Sequence, residues 1–241
     1  GVKKVLKLDS CRPSADYEFA LGTSCPGGCQ YCYLATTLGR KPYVRIYVNV
    51  DEILAAVKDY IDQNRPAITS FEAASTADPL AVEHLTGSLQ KTINFFGRQE
   101  YGRLRVVTKF ANVDGLLATQ HRGHTKFRFS INSAYVIKTF EAKTAPLTQR
   151  LAAAGKIAAA GYPLGFIIAP LFLYKHWQAD YRKLLEDLAV WVQPHHPPSL
   201  SFELISHRFT ARAKKVILER FPHTQLEMNE EKRKLKWGKY G

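Results

Sequence analysis

Three of the four cysteines, Cys25, Cys29 and Cys32, fall within eight residues of the stretch "SCPGGCQYCYL", spaced C-x3-C-x2-C. Such a cluster is not a distributed disulfide framework; in a reducing compartment it reads as metal-binding or catalytic. Pro26, Gly27, Gly28 and the polar Gln30 describe an exposed loop rather than three thiols packed in a core. Two metal readings follow. Tetrahedral zinc would need Cys11 as its fourth ligand, fourteen residues upstream and across an expected strand. A [4Fe–4S] cluster would take the three thiolates and leave one iron open to chelate a small molecule.

The chain that must position this loop has 241 residues, 46% of them hydrophobic, enough to bury a core as one domain or two small ones. No run approaches eighteen uninterrupted apolar residues, and "GVKKVLKLDS" lacks the apolar stretch of a signal peptide, so a soluble, cytoplasmic protein with no membrane partner is expected. The net charge of +13 comes from 34 basic and 21 acidic residues and points to a polyanionic partner. From His207 onward ten Lys or Arg face four Glu, and the end, "EKRKLKWGKYG", interleaves basic residues with Trp237 and Tyr240. Lysines can neutralise phosphates while rings stack on bases; a solvated charged end is the plainer alternative. Gly1 in place of Met, and a stop inside the turn-like "WGKYG", suggest a fragment of a longer protein. His195, His196 and His207 receive no role, because "QPHHPP" reads as a loop.

Apolar runs rich in Val, Ile and Phe recur at 18–24, 68–74, 104–110, 126–132, 164–170 and 200–206, as strands buried on both faces should. Helical patterns lie between them. "DEILAAVKDYIDQN" is expected to open on Asp51 as cap and to bury Ile53, Leu54, Val57 and Ile61. "DPLAVEHLTGSLQKTINFFG" reads as one helix from Asp78 and Pro79 to Gly97. "NVDGLLAT", "PLTQRLAAAGKIAAAGYP", "WQADYRKLLEDLAVWVQP" and "TARAKKVILERF" follow later strands, and "YVRIYVNV" is a side hairpin or edge strand. Strand then helix, six times, predicts an α/β fold with a parallel sheet, either open or curled into a full or partial barrel. No GxGxxG or GxxxxGK[ST] follows a strand, which weakens a nucleotide-binding open sheet. In either closure ligands belong at the C-terminal ends of the strands, where the cysteine loop falls.

C-x3-C-x2-C with the aromatic Tyr31 directly before the third cysteine resembles the signature of the radical S-adenosylmethionine (SAM) superfamily. That resemblance implies a partial (β/α)6 TIM-like barrel with the cluster loop after strand 1, and a [4Fe–4S] cluster whose open iron binds SAM and releases a 5′-deoxyadenosyl radical. "PSADYEFALGTSCPGGCQYCYL", with "FEAASTADP", "VVTKF", "FRFSIN" and "IIAPL", is more specific and resembles the spore photoproduct lyase family across essentially the whole chain. The resemblance implies a DNA repair lyase that reverses 5-thyminyl-5,6-dihydrothymine, the lesion ultraviolet light makes in bacterial spore DNA, to two thymines. A bacterial spore or forespore setting, UV-damaged DNA as partner and an unidentified electron donor come with it. Other readings are a radical SAM enzyme acting on RNA or a different substrate, and a non-catalytic, zinc-stabilised nucleic-acid-binding module.

The same resemblance distributes roles along residues 1–241, taken as one radical SAM domain. Cys25, Cys29 and Cys32 hold the cluster. Tyr31 and Tyr33 form a radical relay, Tyr31 also packing near the adenosine. Lys109 and Ser130, at the ends of the third and fourth strands, match SAM-binding positions; Lys109 would meet the SAM carboxylate, since a buried lysine needs an anionic partner. Ala169 would approach the adenine and Ala77 the SAM methionine through their backbones. Lys239 and Tyr240, in the basic segment from about 207 to 241, would begin a lesion-binding hairpin. One position departs from the pattern. Where the family carries its hydrogen-donating cysteine, "EAAS" places Ser75, whose O–H is far harder to break homolytically than S–H. Impaired repair is expected, with an engineered knock-out suited to trapping substrate as the first reading and a natural variant using another donor as the second.

Overall fold

The computed structural model describes residues 8–11, 14–34, 43–73, 75–236 and 239–241; Trp237 lies outside the described residues. The strands β1 (Asp9–Ser10), β2 (Tyr17–Glu18), β3 (Thr69–Glu72), β4 (Gly102–Thr108), β5 (Thr125–Ile131), β6 (Leu164–Leu171) and β7 (Leu200–Ser206) lie side by side in chain order. β1 runs antiparallel to β2, and every pair from β2 to β7 is parallel. A doubly wound sheet reverses its order at a switch point, whereas a β/α barrel advances one strand at a time. The sheet, with β1 and β7 at its edges, is therefore a partial (β/α)6 barrel, as expected.

Alternation along each strand separates two environments. On one face Phe71 of β3 meets Phe96 at 5.7 Å between ring centroids, and both lie in the main core with Phe19, Leu104 and Phe127. That face is covered by α1 (Val50–Gln63), α2 (Ser88–Gly97), α4 (Leu147–Ala159) and α5 (Trp177–Val192), whose buried stripes include Ile53, Leu89, Ile157 and Leu184. The other face carries charge: Glu72 of β3 and Arg128 of β5 pair at 2.9 Å, and Arg128 reaches Glu203 of β7 at 3.0 Å. A smaller apolar cluster gathers α3 (Ala134–Phe140), α6 (Ala211–Arg220), Phe172, Phe209 and Met228.

Several local expectations change. The first expected strand, 18–24, divides: β2 ends at Glu18, and Gly22–Thr23 pairs antiparallel with Arg45–Ile46, the side pairing read from "YVRIYVNV". α1 has Asn49, not Asp51, at its cap position; Asp51 sits in the first turn and pairs with Lys91 across to α2. The helix read from Asp78 to Gly97 breaks into a 3-10 turn, Pro79–Val82, a single turn, Glu83–Thr86, and α2. Gly87, at φ +60°, makes the break, and the Glu83 carboxylate accepts the freed N–H groups of Leu89 and Gln90. "NVDGLLAT" forms only the 3-10 turn Asp114–Leu116, and α3 was not anticipated. β7 is apolar yet exposed, Leu204 at 64%, because an edge strand is buried only where another layer covers it.

Candidate active site

The cysteine loop is stapled at two points. Ser24 bridges Ala77 and donates its N–H to the Thr76 carbonyl at 2.9 Å, beside the C-terminal end of β3. Gly22, just before, leaves no room for a side chain: a Cβ would lie 2.4 Å from the Arg45 carbonyl oxygen. Further on, Gly28–Cys29 pairs antiparallel with Glu141–Ala142, which follows α3. Cys29 is buried, Cys25 and Cys32 are half-buried, and all are free thiols. The Gly27 N–H donates to Cys25 Sγ at 3.4 Å. Burial pushes Cys25 and Cys29 up to about 12, Lys109 pulls both the other way, and each thiol feels the charge of its neighbours in the motif. Three thiols on one stapled loop, with Lys109 nearby, suit a group that takes three thiolates and expels their protons on binding. Zinc fits less well. Cys11, the fourth ligand that zinc would need, lies beside Glu18 instead.

Tyr31 is anchored in an ionic network. Its hydroxyl donates to Glu141 Oε1 and accepts from Lys109 Nζ at 3.1 Å, and its ring lies 5.7 Å from Phe172. Lys109 Nζ also donates to Ser130 Oγ at 2.8 Å and to Glu141 Oε1 at 3.0 Å. Behind Glu141 stands Arg150, fully buried, which pairs at 2.6 Å and donates to the carbonyls of Ala145 and Ser130. Burial alone would raise the Glu141 carboxyl, but Lys109 and Arg150 hold it below its usual range. Burial, then Glu141, lifts the Tyr31 hydroxyl well above its ordinary value, so the phenol stays protonated.

Tyr33, one residue past Cys32, is different. It is 59% exposed, and its hydroxyl donates to the Ser75 backbone carbonyl. Ser75 Oγ, just beyond the C-terminal end of β3, is buried and has no hydrogen-bond partner among the described residues. Burial, then the neighbouring Cys32 and Glu18, pushes the Tyr33 hydroxyl up to about 12.

The family model for spore photoproduct lyase matches residues 1–241. The chain belongs to the spore photoproduct lyase family. It is 52% identical over 241 residues to spore photoproduct lyase of Geobacillus sp. (strain Y412MC61), covering all of this chain and 71% of that one. The Bacillus subtilis (strain 168) protein is 51% identical over the same residues, 70% of its length. Spore photoproduct lyase solved with dinucleoside spore photoproduct superposes at TM-score 0.95 with 52% identity, covering 100% of this chain and 72% of that one. A second solved form carries two changes: a cysteine is replaced by alanine and, 64 positions earlier, a serine by cysteine. It holds AdoMet and the dinucleoside lesion, and matches at TM-score 0.95 and 52% identity over 99% of this chain and 72% of that one. A cobalamin-dependent SAM radical enzyme, OxsB, shares the fold at TM-score 0.53 and 14% identity, covering 93% of this chain and 38% of that one. With this family and this barrel, the chain is a radical SAM lyase.

Of the residues read from the family strings, Tyr31, Lys109 and Ser130 meet in one hydrogen-bond network with Glu141, and Cys29 pairs along the backbone with that same glutamate. Ala77 lies at the start of the cysteine loop through its bridge to Ser24. Ala169 sits near the C-terminal end of β6, beside Pro170, whose carbonyl accepts from Asn132 at 2.8 Å. Lys239 and Tyr240 form one arm of a hairpin with Leu235–Lys236; Lys239 is exposed, whereas the Tyr240 ring stacks on Phe209 at 5.5 Å. The anionic partner expected for Lys109 is present within the protein itself, as Glu141.

Glu141, Arg150 and Asp78 escaped sequence reasoning as site residues. Arg150 left a trace: it lies one residue before Leu151 and four before Ala154, on the apolar stripe of α4, where an unpaired charge has no place. Asp78 was read only as a cap, yet its carboxylate accepts from Thr108 Oγ1 at 2.8 Å and the Lys109 N–H at 2.9 Å. Burial raises it to about 6. Glu141 left no signal, since its partners come from three separate segments.

Proposed function

We propose that the chain repairs ultraviolet-damaged DNA by cleaving the carbon–carbon bond of 5-thyminyl-5,6-dihydrothymine, with SAM and a [4Fe–4S] cluster as cofactors. The observation that carries this reading is the three-thiol loop, stapled to the C-terminal end of the barrel and backed by Lys109 and Tyr31, in a chain half identical to spore photoproduct lyases. Cys25, Cys29 and Cys32 would hold the cluster; Lys109, Ser130, Ala77 and Ala169 would line the SAM site. The cofactors, once reduced by an external donor, supply a carbon-centred radical able to take hydrogen from carbon 6 of the saturated thymine. This suits a bond between adjacent thymines that has no leaving group for an acid or base to assist.

The protein's own groups then have defined tasks. Arg150 and Glu141 fix Lys109 and keep the Tyr31 phenol oriented and protonated. Tyr33, held at Ser75, stands in the opening with its O–H available as a hydrogen source. Ser75 occupies the donor position with an O–H bond too strong to serve. A lesion stacked in a duplex must be flipped out to reach a barrel, at a cost of a few kcal/mol that a damaged step lowers. The +13 charge and the basic end from about 207, with Lys239 exposed and Tyr240 braced on Phe209, would hold the duplex. Affinity should then fall with salt, with a log–log slope of about −0.9 per phosphate neutralised. Among the described residues no helix is long and apolar enough to cross a membrane, which agrees with a role in the cytoplasm of the spore or forespore.

The test is anaerobic reconstitution with iron and sulfide, followed by SAM, dithionite and the dinucleoside lesion, with products resolved by mass. A brown protein with about four irons per chain that cleaves SAM and consumes lesion supports the reading. A colourless protein that binds zinc and leaves both intact would sink it.

A further inference from the structure

Gln30, between Cys29 and Tyr31, has neither thiol nor ring, yet it is tied to the fold at three points. Its N–H donates to the Phe140 carbonyl at 2.9 Å and its Nε2 to the Thr139 carbonyl at 3.2 Å, both near the end of α3. Its Oε1 accepts from Thr224 Oγ1 at 2.5 Å, across 194 positions. Chemistry fixes the orientation of both groups. A carbonyl can only accept, so the amide NH2 faces Thr139 and the amide oxygen faces Thr224. The Thr224 hydroxyl donates its single proton to Gln30 and accepts the Leu226 N–H at 3.2 Å.

Thr224 lies in the turn after α6, inside the basic segment that begins near 207. That segment is tied to itself: Phe209 and Tyr240 exchange backbone bonds at 3.1 and 2.8 Å, Arg233 donates to the His207 carbonyl at 3.1 Å, and Lys214 pairs with Glu230 at 3.0 Å. On either side of Thr224, Phe221 and Leu226 pack into the smaller apolar cluster, which Tyr31 also joins. A row of five rings runs through this region. Tyr31 meets Phe172 at 5.7 Å, Phe172 meets His207 at 4.8 Å, His207 meets Phe209 at 5.7 Å, and Phe209 meets Tyr240 at 5.5 Å. The cysteine loop and the hairpin that carries Lys239 are thus joined by stacked rings and by a polar bridge. Close-packed rings set the spacing, and a directional hydrogen bond sets the register.

We propose that Gln30 and Thr224 are positioning residues: their bridge sets where a lesion held in duplex DNA by the basic segment stands relative to the cysteine loop. The assignment rests on the lyase reading above and deepens it. The requirement is geometric. Hydrogen abstraction needs the reacting atoms in near contact, and a displacement of about 1 Å set far from the chemistry can cost about a hundredfold in rate. A free dinucleoside settles in the site by itself. A lesion in a duplex cannot, because the flanking phosphates fix it to the surface that binds them. The register of that surface against the cysteine loop then decides how carbon 6 of the lesion is presented. Gln30 suits the task because it directly follows Cys29 and its main chain is pinned to α3, so a shift at Thr224 is resisted rather than absorbed.

The test compares lesion-containing duplex with the free dinucleoside lesion, using the reconstituted holoenzyme with SAM and dithionite. Thr224→Val, nearly isosteric but without the hydroxyl, should lower kcat for lesion consumption in duplex about tenfold, with more SAM cleaved per lesion consumed. Its iron content, SAM cleavage without lesion, duplex affinity by titration and dinucleoside turnover should stay within about twofold of the unsubstituted chain. Gln30→Met, similar in length but without the amide, should show the same split, and the double substitution should be no worse than either alone. Thr224→Ser keeps the hydroxyl and should retain duplex turnover. A duplex kcat untouched by Thr224→Val, or a loss shared equally by duplex and dinucleoside, would overturn the positioning role while leaving the lyase reading intact. Failure of the unsubstituted chain to cleave SAM or consume either substrate would overturn both.

Discussion

Tyr31 and Tyr33 flank the same cysteine, and the fold treats them oppositely. Tyr31 is tied to Glu141 and Lys109 and backed by Phe172, a setting in which every polar atom has a partner. Tyr33 is exposed, and its hydroxyl donates to the backbone carbonyl of Ser75. The first region is built to hold still. The second stands open to solvent.

Substitutions can break this contrast, beginning with the strongest. Arg150→Met removes the cation behind Glu141 in a fully buried pair, and loss of one partner of such a pair costs about 3–5 kcal/mol. Chemical denaturation should show a loss of that order, and iron retention should weaken because Glu141–Ala142 no longer braces Cys29.

The aromatic backing of Tyr31 offers a second lever. His207 packs on Phe172 at 4.8 Å, and burial, then the Arg233 cation, lowers it from 6.5 to about 4. The folded state therefore resists the proton that the unfolded chain accepts. Stability from the neutral ring is full above pH 6.5 and is lost as pH falls toward 4, by up to about 3 kcal/mol. His207→Phe should flatten that window when unfolding of the two proteins is compared between pH 7.5 and 4; parallel pH profiles would refute it.

Tyr31→Phe leaves Glu141 and Lys109 without a shared hydroxyl in a buried site and should cost about 1–3 kcal/mol. Tyr33→Phe, in the open region, should change stability by less than about 0.5 kcal/mol. Its effect should appear instead in the products, as less repaired thymine per lesion consumed. Equal destabilisation by the two substitutions would erase the distinction between the regions.

Much of this was legible in residue order. Strand and helix alternation and the position of the cysteine loop after the first parallel strand follow from local pattern, whereas Lys109 and Ser130 were singled out only through the family resemblance and are seen to meet in the structure. Short-range chemistry fell short where a single residue decided: Gly87 broke a helix that periodicity joined, and Asp78 keeps the cap position before Pro79 while its carboxylate turns to Thr108 and Lys109. β7 reads as a core strand and is an exposed edge, because pattern records preference for burial but not what arrives to cover it.

By itself, then, the amino-acid order determined the strand–helix alternation and the three-thiol loop, since each depends on spacing within one segment. The tertiary structure decided the rest. Glu141 meets Tyr31, Lys109 and Arg150 across as many as 110 positions, and Cys11 comes beside Glu18 only because β1 folds back on β2. Side chains acquire charge state, exposure and reach from neighbours that are remote in the chain, and those neighbours exist only once the sheet has closed around them.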